Sequence, residues 1–205
     1  MLGNLCRGKT KNLRISICKI ILYTGISPNV LTFLSLILSL VALWAILVEN
    51  YILAVLFIII SSAMDSLDGT LAILSNKKTL FGNYFDAVTD RYRELIFYIG
   101  FAISGFYLET FFAATGSMMI SYVKARTALT IKIDNVDWPA IGEMLDRLSL
   151  LIIGMTLAVF LPQVLNFSTI SLTLWFIALV TNIGAIQRIF YAKNLIRKYQ
   201  ANNVQ

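Results

Sequence analysis

Six apolar stretches, at about residues 28–48, 52–74, 82–105, 107–125, 141–161 and 167–190, dominate this chain. Each approaches the ~20 residues that a helix needs to cross the hydrocarbon core of a bilayer. In a chain of 205 residues, 58% of them hydrophobic, they leave room for short connections and little else. The expected fold class is all-α: an integral membrane bundle of six transmembrane helices, with residues 1–205 forming one domain. The start is basic and polar and lacks an apolar core followed by a small-residue cleavage site, so it does not read as a signal peptide.

The charges orient the bundle. The connections around Glu49-Asn50, Gly105 and Pro162–Asn166 contain no Lys or Arg, and all 17 basic residues fall toward the other helix ends. They are Arg7, Lys9, Lys11, Arg14 and Lys19; Lys77 and Lys78; Arg91 and Arg93; Lys124, Arg126 and Lys132; Arg147; and Arg188, Lys193, Arg197 and Lys198. The positive-inside rule then puts both termini in the cytoplasm of a multi-pass protein of the cell membrane. The net charge of +6 is thus topology first and attraction to anionic lipid second, and nucleic acid is not an expected partner. Residues 11–23 set Leu13, Ile17 and Ile20 or Ile21 on one side and Lys11, Arg14 and Lys19 elsewhere, the pattern of an N-terminal interfacial amphipathic helix. Cys6 and Cys18 form no motif, so no structural disulfide is expected.

Four of the 11 acidic residues, Asp65, Asp68, Asp86 and Asp90, fall inside the second and third apolar stretches. Facing lipid, each would cost on the order of 2.5–3.5 kcal/mol, so they must face one another, water or a cation. Spacings of i, i+3 and i, i+4 put each pair on one helix face. The turn between the stretches centres near Lys77, nine residues from both Asp68 and Asp86. At ~1.5 Å of rise per residue, that pair sits roughly 13 Å from the turn and Asp65 and Asp90 roughly 18–20 Å, so all four can converge. Close carboxylates in a low-dielectric site need protons or one or two metal ions. With no histidine in the chain, oxygen ligands point to Mg²⁺, Mn²⁺ or Ca²⁺. A proton relay, a helix-helix hydrogen bond or a divalent-cation transporter would also use intramembrane aspartates, and the carboxylates alone leave catalysis and transport open.

The stretch Asp65-Ser66-Leu67-Asp68-Gly69-Thr70-Leu71-Ala72, followed by Gly82, Asp86 and Asp90, resembles the signature of the CDP-alcohol phosphatidyltransferases, DxxDGxxAR, eight residues, G, three residues, D, three residues, D. One position departs, because Ile73 stands where that signature has Arg. The resemblance implies that Asp65, Asp68 and Asp86 hold one or two Mg²⁺ (or Mn²⁺) ions, with Asp90 as a further acidic ligand or as the base that takes the acceptor proton. It implies a CDP-linked lipid donor, bound near Asp65, Gly69, Gly82, Asn29 and Thr32, with CMP as leaving group. For Asn29 and Thr32 the structural alternative is a helix start at Ser27-Pro28. It also implies a homodimer and a cytoplasm-facing active site.

Lys124 and Arg126 in Ser121-Tyr122-Val123-Lys124-Ala125-Arg126, Arg147 after Asp146, and Arg188 after Gln187 form a second set. Anchoring of helix ends explains most such residues. Arg147 and Arg188, however, have apolar residues beyond them and can point into the bundle to receive a phosphate. This set is similar to the branch of the family that makes phosphatidylinositol phosphate or archaetidylinositol phosphate. That branch implies a phosphorylated polyol acceptor, inositol phosphate, with glycerol-3-phosphate as the nearest competitor.

Overall fold

Capping residues decide where the helices begin. The computed structural model describes residues 2–131, 138 and 141–203; Lys132, one of the basic residues placed on the cytoplasmic side above, lies outside them. In chain order the elements are α1 (Leu2–Tyr23), α2 (Pro28–Leu47), α3 (Tyr51–Leu74), α4 (Leu80–Ile103), α5 (Tyr107–Thr130), α6 (Met144–Phe160), β1 (Gln163–Val164), β2 (Phe167–Ser168) and α7 (Thr169–Asn203). Pro28 opens α2 after Ser27 in extended backbone, where a fixed φ and a missing N–H cost a helix nothing. Asn50 caps α3 by accepting from the Leu53 amide at 3.1 Å. Thr79 caps α4 by accepting from the Gly82 amide at 2.9 Å. Glu143 and Asp146 form a reciprocal capping box at the start of α6.

The all-α expectation holds, apart from a two-stranded hairpin of β1 and β2 in the connection between α6 and α7. Among the described residues, three helices, Pro28–Leu47, Tyr51–Leu74 and Thr169–Asn202, are long and apolar enough to cross a membrane. The chain divides into two units, Met1–Gly105 and Phe106–Gln205.

In the first unit α2 and α3 run antiparallel: Ser61 Oγ donates to the Ser35 carbonyl at 2.7 Å, and Thr32 Oγ1 donates to Asp68 Oδ2. α4 runs parallel to α2, since Gly82 lies beside Asn29 and Gly100 beside Ile46. α1 lies on α3 through Cys18 and Ile21, which join a cluster with Leu31, Leu67 and Leu71. Cys18 is a buried free thiol, and its Sγ donates to the Leu67 carbonyl at 3.4 Å. Burial pushes that thiol's pKa up, against the pull of Arg14 and with a smaller push from Asp68. Leu13, Ile17 and Ile20, the apolar stripe read from the sequence, are exposed on the outer side of α1.

In the second unit α5 and α7 are parallel, with Asn182 donating to the Phe112 carbonyl at 3.0 Å and Arg188 to the Ile120 carbonyl at 2.8 Å. α6 runs back between their directions, its Gly154 against Thr173 of α7. A Cβ on Gly154 would sit 2.2 Å from Thr173 Cγ2, so only glycine permits this approach. Gly142 needs its missing side chain for a second reason, since its φ is +75° in the turn that leads into α6.

In both units small polar residues sit inside beside an apolar core, and large apolar residues lie outside. Small polar residues, Ser35, Ser39 and Ser61 in the first and Ser117 and Thr181 in the second, are fully buried between helices. Trp44, Ile52, Phe111, Trp175 and Leu179 face outward. In a bilayer, exposed large apolar side chains cost nothing, and small residues at helix contacts let backbones approach closely.

Candidate active site

The antiparallel α3–α4 hairpin brings Asp65, Asp68 and Asp86 together, with one carboxylate oxygen of each within 4.8 Å of the others. Asp68 is buried and is fixed on both oxygens, by the Thr32 hydroxyl on Oδ2 and by the Gly69 amide on Oδ1. Oδ1 of Asp65 is buried without a hydrogen-bond partner among the described residues. An orphaned carboxylate oxygen beside two further carboxylates is a donor set that fits a hard divalent cation. The cluster could hold one, as the sequence spacing anticipated.

Asp90, the fourth expected carboxylate, is held differently. Its Oδ1 accepts from Arg93 Nη2 at 2.7 Å, and its Oδ2 lies 3.5 Å from Arg91 Nη2. The same Arg93 Nη2 reaches Asp65 Oδ2 at 2.9 Å, and Arg93 Nη1 donates to the Ser61 carbonyl at 3.1 Å. Arg93 is only 1% exposed. The sequence reading put Arg91 and Arg93 among the basic residues of helix ends; Arg93 instead belongs to the carboxylate cluster. Its signal was available, because Asp86, Asp90 and Arg93 stand at i, i+4 and i+7 on one face of α4.

The residues expected near the donor fall into two groups. Nothing lies within 4 Å of a Cβ built on Gly69, so the space beside Asp68 is open for a ligand to approach the backbone. A Cβ on Gly82 would meet Thr79 Oγ1 at 3.0 Å and Asn29 Oδ1 at 3.3 Å, which ties that glycine to the α2–α4 contact. Thr32 is buried and donates its one hydroxyl proton to Asp68, with the Pro28 carbonyl a longer second acceptor at 3.3 Å. Ile73, at the position of the signature's Arg, points outward, and Lys77 and Lys78 are exposed in the turn.

In the second unit Arg147 and Arg188 are buried, 2% and 5% exposed. Arg147 Nη1 donates to the Gly142 carbonyl at 2.6 Å, and Arg188 Nη2 pairs with Glu143 Oε1 at 3.1 Å. The two guanidinium groups therefore meet at adjacent residues ahead of α6. Lys124, half-buried, stands one turn beyond Ile120, whose carbonyl binds Arg188. Glu143 was not anticipated as a partner. Arg126 is exposed and lines an open groove of about 460 Å³ between α5 and α7 with Tyr122, Lys193 and Arg197.

Known proteins resemble this chain in sequence and fold. An archaetidylinositol phosphate synthase of Pyrococcus horikoshii is 28% identical over 193 residues, spanning 91% of this chain and 94% of that protein. A solved structure of Mycobacterium tuberculosis phosphatidylinositol phosphate synthase with CDP-DAG bound shares the fold at a TM-score of 0.75 and 23% identity, covering 88% of this chain and 94% of that one. A second structure of that enzyme, in complex with manganese and citrate, matches at 0.75 and 24%, covering 87% and 88%. A family model for the CDP-alcohol phosphatidyltransferases matches residues 25–175. That match takes in both halves of the aspartate signature, and with it the chain belongs to the CDP-alcohol phosphatidyltransferase family, as an enzyme of that class.

Proposed function

We propose that this enzyme moves a phosphatidyl-type group from a CDP-linked lipid to a hydroxyl of inositol phosphate and releases CMP. Family membership sets aside the cation transporter that the carboxylates alone left open. The observation that carries the acceptor is the pair of buried guanidinium groups, Arg147 and Arg188, at the Gly142–Glu143 turn. A buried arginine presents a planar fork suited to phosphate, and the Pyrococcus relative is named for an inositol phosphate product. Lys124 and Arg126 complete the proposed acceptor set.

In this reading Asp65, Asp68 and Asp86 hold one or two Mg²⁺ or Mn²⁺ ions, with Asp90 beside them. Such ions neutralise charge on a diphosphate and on its leaving group. Asp90 accepts the proton of the acceptor hydroxyl. The freed oxygen attacks the phosphorus that carries the lipid alcohol, a new P–O bond forms, and the bond to CMP breaks. Thr32 and the Gly69 amide keep Asp68 in place, and Gly69, Gly82 and Asn29 border the donor.

Residues 1–205 act as one catalytic domain, an assignment supported by a family match that crosses from one unit into the other. We place six helices, α2 to α7, across the cell membrane, α1 in the cytoplasmic interface with its exposed stripe in lipid, and both termini and the active site on the cytoplasmic side. The enzyme works as a homodimer. The deciding experiment is CMP release by purified protein with Mg²⁺, using CDP-diacylglycerol and a CDP-ether lipid as donors. Inositol phosphate should be the preferred acceptor. Preference for glycerol-3-phosphate would move the acceptor within the family, and equal rates with unphosphorylated inositol would remove the phosphate-binding role of the arginines.

A further inference from the structure

Arg93 differs from every other cation described above in being buried in the middle of a helix and shared between two carboxylates of the cluster. Its Nη2 lies 2.9 Å from Asp65 Oδ2 and 2.7 Å from Asp90 Oδ1, and its Nη1 is spent on the Ser61 carbonyl at 3.1 Å. A buried charge persists only where partners replace its water, and here the partners are two carboxylates and a main-chain carbonyl. The signature of the family contains no residue at this position, so its conventional ligand roles do not account for the guanidinium.

We propose that Arg93 is a fixed internal cation that competes with the metal for Asp65 and at the same time holds the Asp90 carboxylate in one orientation. Asp65 is the shared element: Oδ2 is engaged by Arg93, while Oδ1 is left buried without a partner. A cation bound by Asp65, Asp68 and Asp86 therefore meets a carboxylate already half-compensated by Arg93. Like-charge repulsion within the cluster is relieved by the guanidinium before any metal arrives, which lowers the gain from binding one. Asp90, held at Oδ1, keeps one rotamer rather than swinging to the metal. Arg93 is thus a positioning residue for Asp90 and a brake on metal affinity.

The inference rests on the reading of Asp90 as the proton acceptor, and its test has one arm that needs no substrate. Mn²⁺ binding to full-length protein is measured by electron paramagnetic resonance in detergent, in parallel with CMP-release kinetics. Arg93→Gln is expected to bind Mn²⁺ about 10-fold more tightly, because Asp65 loses its guanidinium partner, while kcat falls about 100-fold and the donor KM moves little. Arg93→Lys keeps the charge, so its Mn²⁺ affinity should stay near that of the parent. Its kcat should fall, since one ammonium cannot hold both carboxylates and the Ser61 carbonyl in a fixed fork. A merely structural arginine predicts the opposite sign, with weaker Mn²⁺ binding and lower kcat together in Arg93→Gln. That result overturns the proposal, as does full kcat in Arg93→Lys. Should Arg93→Gln not fold, the Lys variant alone decides through its kcat. Absence of CMP release by the parent enzyme with inositol phosphate would defeat the acceptor assignment while leaving the Mn²⁺ titration interpretable.

Discussion

At the level of single residues, the four aspartates are not equivalent, although the sequence presents them as two matched pairs. Asp68 is locked by Thr32 and the Gly69 amide, whereas Asp90 is held by arginine side chains. Asp68→Asn removes a charged ligand, so Mn²⁺ affinity and donor affinity should fall together. Asp90→Asn should leave donor affinity largely intact and cut kcat by on the order of 100-fold, as expected when a general base is lost. Equal losses of donor affinity in both variants would make Asp90 a ligand first. Thr32→Val deletes a hydrogen bond to a carboxylate worth about 1.5–3 kcal/mol, and metal affinity should drop about 10-fold with little change in acceptor KM. Convergence of the carboxylates was legible because helical spacing and rise fix which residues share a face and a depth. The place of Arg93 was overlooked although its spacing from Asp86 and Asp90 showed it, because a rule that counts Lys and Arg at helix ends does not say where the end is. Arg93 stands 13 residues into α4, about 20 Å along its axis.

Three helix starts were readable to within about two residues: the stretches read from about 28, 52 and 82 begin as helices at Pro28, Tyr51 and Leu80. Two features were not. The turn of the β1–β2 hairpin has φ of 52° at Leu165 and 67° at Asn166, a geometry usually signalled by Asn-Gly or Gly-Gly, and leucine gives no such signal. α7 runs on to Asn203, because Ala, Lys, Leu, Arg and Gln after residue 190 keep high helix propensity after the apolar pattern has ended. Close helix contacts yield a prediction at this scale. A Cβ on Gly184 would lie 2.0 Å from the Ile141 carbonyl oxygen, a backbone atom that cannot rotate away. Gly184→Ala should therefore cost about 1–3 kcal/mol, seen as a lower Tm. It should also weaken inositol phosphate binding, because Ile141 precedes the turn to which Arg147 and Arg188 are tied. Arg188→Lys should raise the acceptor KM about 10-fold or more and spare the donor KM, since a point charge replaces a forked donor. Normal acceptor kinetics in that variant would return Arg188 to a purely structural part, bridging Ile120 and Glu143.

For the molecule as a whole, burial of serine and threonine with exposure of tryptophan, phenylalanine and leucine argues for a bilayer more directly than hydropathy does. The six-span orientation is testable by chemistry at two connections. Cysteines introduced at Asn50 and Val164 should react with an impermeant thiol reagent only from the non-cytoplasmic side. Labelling of both from the cytoplasm would invert the arrangement and place the basic helix ends outside.

The pairing of Asp65 with Arg93 also bears on how the chain enters the membrane. A helix carrying Asp86, Asp90, Arg91, Arg93 and Glu94 is a poor substrate for insertion by itself, at roughly 2.5–3.5 kcal/mol for each charge left facing lipid. Contact with α3 gives Arg93 a carboxylate and a carbonyl from the neighbouring helix. If α3 and α4 both cross the bilayer, as proposed above, the α3–α4 hairpin, with its five-residue turn from Ser75 to Thr79, is cheaper to transfer as a pair than as two successive helices. The translocon would then meet the carboxylate cluster as one parcel, with its opposite charges already neutralised in part before the rest of the chain has been made.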